Sequence, residues 1–248
     1  LLVNSRQIFF RIYFQSFCEG TTMYILRIPR QAQLDALQSL TGTLLAIFLW
    51  VHLILVSSIL IGHDAMLWVT KTMEGAFLTP DGSGYPFIVS VIAASIFALF
   101  VVHTILACRK MPTNYRQWKS LRQQMQTVRH SDTKYWMIQA VTGIVIMFLL
   151  PPHLFVMLMQ PETIGPIKSS LRIYEQGFWL LYLPLLIAAE LHAAFGLYRV
   201  ILKWDVFSIS LRDVRPTLAM IKNVLSALFI VVGTAALVTY FMIGMDLQ

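Results

Sequence analysis

Six histidines stand in the chain, and four of them, His52, His103, His153 and His192, fall one to each of four successive apolar stretches. The last of these stretches, WLLYLPLLIAAELHAAFGLYRV over residues 179–200, also carries a carboxylate, Glu190, two positions before His192. Ionisable groups at that depth in an apolar segment cost roughly 2.5–3.5 kcal/mol on insertion scales, so they persist where they bind, relay or pair. Imidazole ligates metals and moves protons. A single buried histidine is as readily a hydrogen-bonded packing residue as a ligand. One on each of four spans points to ligation.

The elements that carry these groups are transmembrane. The chain is 57% hydrophobic and 12% charged, with a mean hydropathy of +0.69. A soluble domain holds about a quarter charged residues. Five apolar runs, at about residues 39–62, 87–108, 135–159, 177–200 and 219–243, are long enough to cross a bilayer. The fold class expected is an all-α membrane protein of five transmembrane helices, four of them forming a haem-binding bundle. Residues 1–38 form an N-terminal cytoplasmic or interfacial segment, and residues 39–246 the membrane domain. The start, NSRQIFFRIYFQSF, reads as an amphipathic interfacial helix or an ill-ordered leader, and no cleavable signal peptide is evident. Of the 19 Lys and Arg residues, 16 fall in the N-terminal segment and in the second-to-third and fourth-to-fifth connections. Lys71, Lys168 and Arg172 are the three on the other side. The positive-inside rule puts the N-terminus in the cytoplasm and the C-terminus outside. The net charge of +7 thus reflects topology and not nucleic-acid binding. Cys18 and Cys108 offer no disulfide framework and no CxxC motif.

Depth sorts the four span histidines into two levels. At about 1.5 Å per residue, His103 and His192 lie roughly 9–10 Å from the cytoplasmic end, and His52 and His153 roughly 20–27 Å in. Two imidazoles facing each other in an apolar bundle suit the axial positions of a haem iron. Zinc or copper wants three or four ligands at one level. Without CxxCH, attachment is non-covalent, of the b type. The spacing Gln-x-x-Thr-Gly-x9-His occurs twice, from Gln38 through Thr41 and Gly42 to His52, and from Gln139 through Thr142 and Gly143 to His153. Spans one–two and three–four therefore read as two related hairpins. Gly42 and Gly143 lie near the shallow level, where a missing side chain either makes room for the other porphyrin or lets helices pack closely. Pro151 and Pro152 precede His153, either aiming it through a kink or as a tolerated irregularity.

These residues, with the segments HLILVSSILIGHDAMLWVTK from His52, RKMPTNYRQW from Arg109, RHSDTKYWMIQAVTG from Arg129, QPETIGP from Gln160 and ELHAAFGLYRVILKW from Glu190, give the chain its likeness. It resembles the di-haem cytochrome b membrane anchors of menaquinol:fumarate reductases, in the succinate:quinone oxidoreductase family, from about Leu37 to the end of the fifth span. The resemblance implies that His103 and His192 hold the proximal of two b haems and His52 and His153 the distal one. It implies that Gln38, Ser39, Trp136, Tyr182 and Lys203 surround the haem propionates. Glu74 matches the acidic residue that accepts the quinol's proton near the outer face, and Glu190 the intramembrane carboxylate that relays protons. Pro151 departs from the family pattern, which can have a hydroxyl residue there. His63 is an extra histidine, expected to face water.

The resemblance further implies that menaquinol is oxidised by this subunit and that its electrons reach an iron–sulfur subunit and an FAD flavoprotein on the cytoplasmic side. That flavoprotein reduces fumarate; the chain has neither an iron–sulfur cysteine set nor a dinucleotide fingerprint of its own. The setting is the inner membrane of an anaerobically respiring cell, in a complex that can be dimeric. Succinate oxidation by menaquinone uses the same parts. A hydrogenase or formate dehydrogenase anchor requires another distribution of ligands, and a haem-free transporter or scaffold predicts no haem.

Overall fold

The computed structural model describes residues 30–112, 114–127, 131–205 and 211–247. The expectations placed on residues 1–29, on Cys18 and on His130 lie outside these. Among the described residues eight α-helices follow in order: α1 Arg30–Val56, α2 His63–Met73, α3 Phe87–Cys108, α4 Tyr115–Thr127, α5 Ser131–Met159, α6 Pro166–Tyr174, α7 Trp179–Trp204 and α8 Leu211–Asp246. Short 3₁₀ turns interrupt the connections, and no strand occurs among the described residues. Five stretches, Arg30–Leu60, Phe87–Cys108, Thr133–Met159, Trp179–Trp204 and Val214–Asp246, are long and apolar enough to cross a membrane. The chain is a multi-pass, all-helical membrane protein.

Several helices outrun their apolar cores. α1 begins at Arg30, ahead of the apolar run, because RQAQLDALQ is polar yet made mostly of good helix formers. α7 continues to Trp204 and stops at Asp205, whose φ of +48° turns the chain out of the helix. α5 runs unbroken through Pro151 and Pro152 to Met159. A proline cannot donate to the carbonyl one turn back, yet the helix persists, as bundle neighbours permit in a membrane.

α1, α3, α5 and α7 form a closed ring, each packed on the next and α7 on α1. α8 lies outside the ring against α7, α6 and α1. The short helices α2 and α6 both lie at the end of the bundle opposite Asp35, Lys110 and Lys203. That cluster marks the basic end of the ring; the end with α2 and α6 is the far end.

Candidate functional site

The ring encloses a cavity of about 880 Å³, and all four span histidines line it. They meet in two pairs. His52 of α1 and His153 of α5 have ring centroids 6.1 Å apart, with planes at 57°. His103 of α3 and His192 of α7 are 6.3 Å apart, with planes at 90°. Each pair spans one diagonal of the ring. Two imidazoles bound on opposite sides of one iron, through bonds of about 2 Å, have centroids roughly 6 Å apart. Both pairs therefore suit one metal each as axial ligands. Among the described residues no group of three or more His, Cys, Asp and Glu side chains converges to hold a metal ion.

The two levels are held differently. At the basic-end level, Thr41 Oγ1 lies 3.1 Å from His103 Nδ1, and Thr142 Oγ1 lies 3.4 Å from His192 Nδ1. His192 Nδ1 is also 2.9 Å from the Gln139 carbonyl. Gly42 and Gly143 face the same two rings. A Cβ at Gly42 would stand 2.8 Å from His103 Cε1, and one at Gly143 would stand 3.0 Å from His192 Cε1. The glycines thus make room for imidazoles, a role different from both readings the sequence left open. At the far level, contacts are aromatic: His52 stacks on Phe48 at 5.7 Å, and His153 meets Tyr182 edge-on at 5.4 Å. His153 Nδ1 is buried without a hydrogen-bond partner.

Gln38, Ser39, Trp136, Tyr182 and Lys203 all line the cavity, but not together. Tyr182 stands at the far level beside His153, and the other four stand toward the basic end. Gln38 Oε1 is buried without a partner. Lys203 Nζ donates to Asp35 Oδ2 at 3.1 Å, while Asp35 Oδ1 accepts from Arg109 at 2.6 Å and Lys110 at 2.8 Å. One carboxylate thus ties α1, α3 and α7 together and holds two cavity-lining ammonium groups. Asp35 and Lys110 escaped sequence reading because their partners lie far along the chain.

Arg172 was also missed as a site residue. It projects from α6 into the far end of the cavity and is 6% exposed. Its Nη1 donates to Thr163 Oγ1 at 2.8 Å and its Nη2 to Ser169 Oγ at 3.1 Å, while Nε is buried without a partner. Among the described residues it pairs with no carboxylate. The available signal was charge: Arg172 is one of three cations on the side that the positive-inside rule depletes.

Glu74 and Glu190 are both buried, and neither lines the cavity. Glu74 caps α2 at the far end, next to Thr70 and Met73, which do line it. Its Oε2 accepts from Lys71 Nζ at 2.7 Å, and Lys71 also reaches the Ser83 carbonyl. The 79–85 loop folds over it. Gly84, at φ +72°, packs so closely that a Cβ would stand 2.8 Å from Glu74 Cβ. Hydrogen bonds from Ser83 in that loop hold the Asp81 carboxyl below its ordinary pKa. Glu190 is fully buried in the seam between α7, α1 and α8. Its Oε2 accepts from Trp50 Nε1 at 3.0 Å, and Oε1 has no hydrogen-bond partner. At 100° per residue, two positions put Glu190 roughly 200° around α7 from His192. His63 is exposed, 3.7 Å from Asp64.

Fold and site define a membrane-embedded helical ring with two levels of paired histidines. A family model for the transmembrane subunit of succinate dehydrogenase and fumarate reductase matches residues 113–232. The chain is 46% identical over 216 residues to the fumarate reductase cytochrome b subunit of Helicobacter pylori, covering 87% of this chain and 82% of that one. It is 44% identical over 221 residues to the fumarate reductase cytochrome b subunit of Wolinella succinogenes, covering 89% and 85%. The chain belongs to the family of fumarate reductase cytochrome b subunits.

Proposed function

We propose that this subunit oxidises menaquinol near the outer membrane face and delivers the electrons to fumarate-reducing partners in the cytoplasm. The observation that carries the reading is the two imidazole pairs, each at the separation one iron requires, on crossed diagonals of one cavity. His52 and His153 would hold a distal b haem and His103 and His192 a proximal one. Bound there, haem supplies one-electron chemistry at each level.

The chain's own groups set the rest. Lys203, Lys110, Gln38, Ser39 and Trp136 offer cations and donors to propionates at the basic end, and Arg172 and Tyr182 do so at the far end. Glu74 takes the quinol proton as general base, and Lys71 balances its charge when it is ionised. Glu190 holds and moves a proton inside the membrane, in a seam separate from the histidine cavity. The basic end faces the cytoplasm and docks an iron–sulfur subunit, which connects to an FAD flavoprotein. The N-terminus is cytoplasmic and the C-terminus outside.

A redox-titrated visible spectrum of the purified complex, with haem counted per chain, tests this reading. Two b haems with separate midpoint potentials are expected. A folded protein without haem, from haem-replete cells, would refute it.

A further inference from the structure

The Gln-x-x-Thr-Gly sequence occurs twice, and both copies meet an imidazole of the same level. In each copy the threonine hydroxyl donates to its own helix: Thr41 to the Leu37 carbonyl at 2.9 Å, and Thr142 to the Ile138 carbonyl at 2.7 Å. A hydroxyl has one proton to donate. With that proton committed, Thr41 Oγ1 faces His103 Nδ1 as an acceptor, so Nδ1 carries the hydrogen. The Gln139 carbonyl can only accept, which assigns the Nδ1 hydrogen of His192 in the same way. Both rings are thereby left with Nε2 unprotonated, the nitrogen that must face a metal. The adjacent glycine bears on the ring itself. The Cβ separations of 2.8 and 3.0 Å are well inside the 3.5–4.0 Å of an ordinary carbon contact, so no larger residue fits without turning or displacing the imidazole.

We propose that the two Gln-x-x-Thr-Gly elements are imidazole clamps, which fix the tautomer and the ring plane of His103 and His192 and so set the ligand field at the basic-end level alone. The proposal rests on the haem reading above. Thr41, Gly42, Thr142 and Gly143 act as positioning residues, and none of them touches the metal. The two clamps hold the ring planes at 90°, against 57° for the aromatic-held pair. Low-spin ferric iron reports this angle. Perpendicular axial imidazole planes give a more anisotropic electron paramagnetic resonance signal, with a higher largest g value, than planes nearer parallel.

The test uses the oxidised complex and the variants Thr41→Val, Thr142→Val, Thr41→Ser, Thr142→Ser, Gly42→Ala and Gly143→Ala. Valine keeps the threonine shape and removes the hydroxyl acceptor, which leaves His192 the Gln139 carbonyl alone. Thr41→Val is expected to lower the largest g value of the more anisotropic signal and to shift that haem's midpoint potential, and Thr142→Val to move both by less, since the Gln139 carbonyl still holds His192. The other haem stays unchanged. Each serine variant restores both readings. Each alanine variant loses haem from the same level, with affinity falling about 10–100-fold, the range for lost outer-shell support. Valine variants with both signals and both potentials as in the wild type would overturn the clamps, as would a shift confined to the other haem. Should a valine variant shed its haem outright, the serine variant decides: recovery of two haems per chain supports the clamp, and continued loss overturns it. Wild-type protein without haem would overturn the underlying reading itself, a result distinct from two haems that ignore the valine changes.

Discussion

Arg172 offers the sharpest test of how the far end of the cavity works. The residue is 6% exposed, its guanidinium donates to two hydroxyls and to the Thr163 carbonyl, and its Nε is buried without a partner. Hydrogen bonds from a charged donor return about 1.5–3 kcal/mol each, without neutralising the charge. Burying an ion costs several kcal/mol even after relaxation. On the reading above, a propionate of the distal haem would supply the counter-charge that no carboxylate among the described residues gives it. Arg172→Met keeps most of the side-chain volume and removes the charge. Ser169 keeps a partner, since its hydroxyl also accepts from the Gly165 amide at 3.3 Å. Breaking a buried charge pair costs about 3–5 kcal/mol. The distal haem should therefore be held roughly two to three and a half orders of magnitude less tightly, while the proximal haem is unaffected. Haem counted after transfer to a scavenger protein, with a redox titration of what remains, measures this. Arg172→Lys should recover part of the loss, as a point charge without the planar fork. An Arg172→Met protein that keeps both haems with wild-type retention and potentials refutes the reasoning.

Other expectations follow from the buried carboxylates. Glu74→Gln keeps the shape under the 79–85 loop and removes the base, so quinol oxidation should fall by at least about 10²-fold, the lower scale of general-base effects, with both haems in place; retained turnover would rule out that role. Glu190→Gln can still accept from Trp50, so the fold should hold while quinol-coupled turnover slows and fumarate reduction by artificial donors is spared. Equal rates with quinol would count against a proton role. Asp35→Asn leaves Arg109, Lys110 and Lys203 without their shared carboxylate. Each of those three partly exposed pairs contributes about 0.2–1 kcal/mol, so a loss of about 0.6–3 kcal/mol is expected. It should appear as a lower thermal-inactivation temperature and shrink at high salt. A variant as stable as the wild type at low salt contradicts this.

What the sequence makes legible here is mostly axial. Rise per residue is fixed in a helix, so counting from charged ends sorted His52 with His153 and His103 with His192, and the rings do meet in those pairs. Hydropathy likewise located five helices that match the spans. Lateral relations were harder. The five residues grouped as propionate neighbours are split between two ends, because one helix can serve both levels. Asp35 finds its partners 74 and 168 residues away, a closure no local pattern encodes. The polar start of α1 belongs to no apolar run, so composition ends the span before the hydrogen bonds do. Glu190 shows the opposite lesson: two positions on a helix are nearly opposite faces, so its turn away from His192 was available from phase alone.

That turn has a consequence for the electron and proton roles proposed above. The wall of α7 has the His192 imidazole on its inner side and the Glu190 carboxyl on its outer side, about 3 Å apart along the axis. Among the described residues, the hydrogen bond of Glu190 comes from Trp50 and those of His192 run to Thr142 and Gln139. A change of charge on the inner side reaches Glu190 as an electric field through a thin apolar layer, where such fields are strong. On the proposed reading, the helix would stand as an insulator between an electron path on its inner side and a proton path on its outer side. Substitutions on one face should tune one current while leaving the other's fittings intact.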